Sequence, residues 1–150
     1  MTFSSGFLTA VDAAGICDRY YSVCAEHPFR PGPPQGSISG KTVIDAARDT
    51  VPLRKLQGPG TVFLLDGLPA GLALNFIIQS RTTVETDFSV ARQGQQERGT
   101  FAVLCHAALG SMGRPFHNPL YPRPMFSSIQ ELIAIMQKLR GVLLDMQGAG

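Results

Sequence analysis

The sequence predicts an α+β domain: an N-terminal helix, a short second helix, an antiparallel sheet of about four to five strands, and a long C-terminal helix packed on that sheet. Three observations predict it. Small and apolar residues recur at helical spacing near the start, side chains alternate with period two through residues 72–90, and a broad apolar helical stripe runs over residues 128–146.

Ala10, Ala13, Ala14, Cys17, Tyr20, Tyr21 and Cys24 follow i, i+3, i+4, i+7 intervals, with Asp12, Asp18, Arg19 and Ser22 on the other side. This spacing predicts one amphipathic helix over residues 7–25, in which Gly15 costs about 1 kcal/mol. Residues 27–37 follow as a proline-rich loop, since Pro28, Pro31, Pro33 and Pro34 fix φ and remove backbone donors. Val43, Ala46, Ala47 and Val51 predict a short helix over 42–51, with Thr42 as its cap and Pro52 as its stop.

Val62-Phe63-Leu64-Leu65 lacks alternation, which predicts a central strand covered on both faces. Asp66-Gly67 and Pro69-Ala70-Gly71 supply turns. Leu72, Leu74, Phe76, Ile78, Val84, Phe88 and Val90 share one parity, so residues 72–90 form either one long bent strand or a hairpin with an unusual loop. Phe101, Val103 and Cys105 resume the alternation. The natural hairpin sets Val90 opposite Phe101, Phe88 opposite Val103 and Thr86 opposite Cys105, and with them His106 opposite Glu85 and near Asp87.

Residues 113–124 form a second proline-rich loop carrying Arg114, Phe116, His117, Tyr121 and Arg123, with no acidic residue. Ser128-Ile129-Gln130-Glu131 reads as a capping box for the last helix. Leu132, Ile133, Met136, Leu139, Leu143 and Met146 mark its apolar face, and Ile135, Val142 and Leu144 widen that face to about 200° around a charged Arg140. One sheet does not cover so wide an arc. Either the proline-rich segment lies over the excess or a second copy of the chain does.

At 150 residues, 44% apolar and 16% charged, the chain predicts a single globular domain spanning 1–150, since a chain of this size hides roughly 70% of its surface on folding. A net charge of +2 with three lysines gives no field that would select nucleic acid or an anionic membrane. The first fifteen residues hold no Lys or Arg, which argues against a secretory signal, and the charge-free stretch at 67–80 falls short of the about 20 residues that span a bilayer. Three cysteines without a CxxC predict a reducing, cytoplasmic setting and inert thiols.

Gly36 to Thr42 resembles a phosphate loop but has three residues between its glycines where four are needed, so it reads as a capped helix start. Gly110-Ser111-Met112-Gly113 misses a nucleophile elbow by one residue. Cys105 and His106 adjoin, and neighbours on a strand face opposite ways. His27, His106, His117 and the cysteines show no metal-ligand spacing, and no cofactor motif is present in the sequence. Asp45 and Asp49 share a helix face, as solvent-facing carboxylates commonly do.

The sequence thus predicts a non-catalytic binding or assembly protein acting as a homo-oligomer. Its contacts are the C-terminal helix, with Arg140 and Val142, and the 113–124 loop, with Arg114, His117, Tyr121 and Arg123, which is also the surface for a protein partner. The alternative is a small enzyme or ligand carrier with an apolar pocket between the sheet and the C-terminal helix, its catalytic candidates being His106, Glu85, His117 and Tyr121.

Overall fold

In the computed structural model, which describes residues 2–30 and 39–148, the N-terminal stripe is two helices rather than one, α1 (Ser5–Ala13) and α2 (Ile16–Glu26). Gly15 between them has φ 69°, the left-handed region that a side chain disfavours, so the chain turns there and the predicted single helix over 7–25 is corrected. Ser4 caps α1 by accepting from the Phe7 N–H at 3.3 Å. Phe7, Leu8 and Val11 from α1, and Ile16, Tyr20 and Val23 from α2, are buried.

Most of the first proline-rich loop and the Gly36–Ile38 part of the phosphate-loop lookalike lie outside the described residues. The rest of that lookalike is the start of α3 (Gly40–Ala47), which Ser39 caps rather than Thr42: its hydroxyl accepts from the Thr42 N–H at 3.5 Å. The helix also stops short of Val51, where the Thr50 and Val51 N–H groups both return to the Ala47 carbonyl.

Five strands follow in one antiparallel meander, β1 (Leu53–Lys55), β2 (Thr61–Leu65), β3 (Leu72–Gln79), β4 (Thr83–Arg92) and β5 (Gln95–Gly99), ordered β1-β2-β3-β4-β5. The α+β class and the antiparallel sheet are as the sequence predicts. β2 buries Phe63 and Leu65 but leaves Val62 and Leu64 half-buried, so the helices cover one face of it and not two. Residues 72–90 are a hairpin. Its turn puts Ser80 at φ 51° and Arg81 at φ 65°, the geometry that Asn-Gly ordinarily supplies, so no sequence signal marked it.

The partner of β4 is not residues 101–105. β4 pairs with β5, Val90 opposite Glu97 and Phe88 opposite Gly99, through the Gln93-Gly94 turn. Residues 101 onward form a helix, α4 (Phe101–Ser111), capped by Thr100, whose hydroxyl accepts from the Val103 N–H at 3.1 Å. Phe101, Leu104, Cys105 and Ala108 face the core at helical spacing, and over five residues that spacing and strand alternation both fit the apolar pattern.

The last helix, α5 (Ile129–Gly148), packs on β3 and β4 with α2 and α3 along its flanks. Leu132, Ile135, Met136, Leu139, Val142 and Leu143 are all buried within the chain, Val142 at 1% exposure. Most of the broad apolar arc is therefore covered by α2 and α3, which corrects the expectation that the proline-rich segment lies over it, while Leu144 at its edge stays exposed. Arg140 escapes the arc sideways and donates to the Thr50 carbonyl at 2.8 Å. Among the described residues no helix is long and apolar enough to cross a membrane.

Candidate binding groove

Residues 112–127 run as an irregular arm across the open end of β4, beyond the reach of β5. The Val84 N–H donates to the Pro124 carbonyl at 3.0 Å and the Phe126 N–H to the Thr82 carbonyl at 2.8 Å, so this part of the arm extends the sheet. The buried Tyr20 hydroxyl donates to the Pro122 carbonyl at 2.7 Å, and the Met125 N–H to the His27 carbonyl at 2.9 Å. Prolines suit these positions because their carbonyls still accept although their nitrogens cannot donate.

Side chains fasten the first half of the arm. Arg114 makes a two-pronged pair with Asp12 of α1 at 2.8 and 3.0 Å. His106 of α4 carries the Phe116 ring, with centroids 4.2 Å apart and planes 13° apart, and the Tyr121 ring tilted at 4.8 Å. His117 stacks on Tyr21 of α2 at 4.2 Å, and its Nδ1 donates to the Pro119 carbonyl at 2.8 Å.

Between the arm and α2 lies a groove of about 520 Å³, within the range of sites that hold drug-sized groups. Tyr21, Cys24 and Ala25 form one wall, Pro28 and Phe29 a second, and the arm from His117 to Met125 the third, with Arg123 at its edge. This is not the place the sequence suggested for a pocket, since α5 lies against the sheet with its apolar residues buried.

The structure places His117 and Tyr121 in the groove lining and His106 behind Tyr121, outside that lining. The predicted pairing of His106 with Glu85 does not form, because it belonged to a strand that is a helix. Glu85 instead faces Ile77 across the sheet and lies 3.5 Å from Arg123. Burial raises its carboxyl above the ordinary range, against the Thr86 N–H and Arg123, which favour the charged form. Arg123 makes its shorter bond to Gln79, at 2.7 Å. Arg114 serves as an anchor on α1, and Arg140 and Val142 of α5 take no part in the groove wall.

Two features of the site were missed. Tyr21 was read as part of the packing stripe, yet Tyr20 and Tyr21 are adjacent on a helix, about 100° apart, so only one ring can point into the core; Tyr20 does, and Tyr21 forms the groove wall. The second is a charged cluster behind the groove, in which Glu131 accepts from Arg30 and lies 2.8 Å from His27 Nδ1, while Lys138 lies 2.9 Å from His27 Nε2. Nothing in the spacing of residues so far apart announced it.

The cysteines are buried and unbridged. Burial pushes the Cys24 thiol up to about 12 and the Cys105 thiol well above its usual value, so neither is a ready thiolate. Among the described residues no group of three or more His, Cys, Asp or Glu could hold a metal ion. In comparisons with family models, with curated proteins and with solved structures, nothing matches this chain.

Proposed function

We propose that this is a non-catalytic binding protein that holds an extended segment of a partner protein in the groove between α2 and the proline-rich arm. One observation carries the reading: Phe29 and Tyr121, two of the six large apolar side chains exposed among the described residues, line the groove from two different walls, beside Tyr21, Pro28, Pro119, Pro122 and Met125. Aromatic and apolar side chains lining a concavity, two of them exposed, are characteristic of contact surfaces, and a proline-stiffened arm loses little entropy when it is covered. The donors and the one arginine on its walls complement a partner that brings apolar and acceptor groups. The protonated thiols and the stacked histidines favour binding over catalysis.

The test is selection of a random dodecapeptide library displayed on phage against the wild-type protein, followed by affinity measurement on Phe29→Ala. Phe29 is 69% exposed, so its truncation leaves the fold intact. The expected result is a family of enriched apolar peptides that bind Phe29→Ala about tenfold more weakly, as for an aromatic anchor worth 1–2 kcal/mol. Absence of enrichment, or equal binding by both proteins, overturns the proposal. Light scattering covers the homo-oligomer: self-association abolished by Phe29→Ala would make the occupant a second copy instead of a different protein.

A further inference from the structure

We infer that the segment held in the groove carries an aspartate or glutamate whose side chain pairs with Arg123, an inference that rests on the binding reading above and names the partner's chemistry. Among the described residues lining the groove there is no Asp or Glu, and Arg123 is the one Lys or Arg. The other polar side chains are hydroxyls, the Cys24 thiol and His117, whose Nε2 can accept since its Nδ1 donates to the Pro119 carbonyl, so the donors in excess are those of Arg123. An occupant must therefore supply acceptors, or leave these donors without partners when it excludes water.

The arginines of this chain show what Arg123 lacks. Arg98 grips Asp87 with Nε and Nη2, at 3.3 and 3.0 Å, and Arg114 grips Asp12 with the same two atoms. Arg123 uses only Nη1, toward the neutral Gln79 at 2.7 Å and toward Glu85 at the long distance of 3.5 Å. Its Nε and Nη2 fork has no partner among the described residues, while 38% of the side chain is open to solvent. Glu85 is poorly placed to close that fork, because its Oε1 accepts from the Thr86 N–H and burial resists its ionisation. The two-pronged geometry that the fork offers matches a carboxylate. Apolar wall and open fork together fit a segment in which apolar residues flank one acid.

The experiment uses the peptides selected on the wild-type protein, measured against Arg123→Gln and Arg123→Glu, with thermal melts to establish that both variants fold. An acid at a fixed position in the selected family is expected, with binding weakened about tenfold or more by Arg123→Gln. Arg123→Glu should weaken it further, and replacing the peptide's acid with lysine should restore binding to that variant. Arg123→Gln stands in if the glutamate variant fails to fold beside Glu85. A family without an acid, or one bound equally by wild type and Arg123→Gln, overturns this inference and leaves the groove reading standing. Peptides indifferent to Phe29→Ala overturn both.

Discussion

His27 Nδ1 lies 2.8 Å from Glu131 Oε2, joining the end of α2 to the first turn of α5 directly behind the groove. Lys138 Nζ is 2.9 Å from the other ring nitrogen, and an ammonium can only donate, so Nε2 accepts and Nδ1 carries the proton toward the carboxylate. The same carboxylate accepts from the Ser127 N–H at 2.7 Å and from Arg30. Since the His27 carbonyl accepts from Met125 and Pro28 and Phe29 follow immediately, this cluster fixes two walls of the groove.

Glu131 makes the cluster sensitive to acid. Burial by itself would raise its pKa, but the hydrogen bonds from Arg30, His27 and Ser127 outweigh burial and hold it at about 2. A carboxyl whose folded pKa lies below its unfolded value stabilises the fold fully above about pH 4.5 and loses that contribution as pH falls toward 2. Glu131→Gln should therefore lower Tm at pH 7 by about 5–10 °C, from roughly 2–3 kcal/mol. Melts at pH 7, 5 and 3 check this: most of the gap should be gone at pH 3, and a constant gap would show that the charge is not what stabilises.

The stack of Phe116 on His106 predicts a structural role for that histidine. Each ring pair contributes about 0.5–1.5 kcal/mol, and His106 has two, with Phe116 and Tyr121. His106→Ala should lower Tm by about 3–6 °C and speed chymotryptic cleavage at Phe116 as the arm loosens. His106→Phe should restore both, because a ring remains to stack. Failure of phenylalanine to rescue would mean that the imidazole nitrogens matter, as they would for a proton-transferring residue.

What was legible in the sequence followed from how many residues shared one pattern. α5 shows about four turns of apolar periodicity and a Ser128–Glu131 cap, and its N-terminus falls within one residue of expectation, although Glu131 reaches back to the Ser127 N–H instead of that of Ser128. β3 and β4 were visible through their shared parity. The pairing of β4 is not legible in the sequence because β5, Gln95-Gln96-Glu97-Arg98-Gly99, carries no apolar alternation. Its inward positions are Glu97, whose carboxylate accepts from the Ser4 N–H at 2.9 Å, and Gly99. The next apolar run, Phe101, Val103 and Cys105, therefore mimics a partner strand. The misplacement of His106 follows from that mimicry, whereas the arm's aromatic and basic residues could be named because proline and the absence of acids set them apart. Their assembly with Tyr21 and Phe29 is long-range, and one sequence holds no record of it.

Gly15 offers the sharpest test of local against global preference. Within a continuous helix, replacing glycine by alanine gains about 1 kcal/mol, which is what the unbroken stripe of small residues would lead one to expect. In the fold Gly15 sits at φ 69°, where an alanine Cβ costs about 1–2 kcal/mol. No atom outside its neighbours lies within 4 Å of where that Cβ would be, so crowding adds nothing to the cost. Gly15→Ala should therefore lower Tm by about 2–6 °C, with Gly15→Asn losing less because asparagine tolerates the left-handed region. A rise in Tm would mean that α1 and α2 can merge, carrying Tyr21 off the groove wall. That outcome would be read directly as weaker binding of the groove-selected peptides.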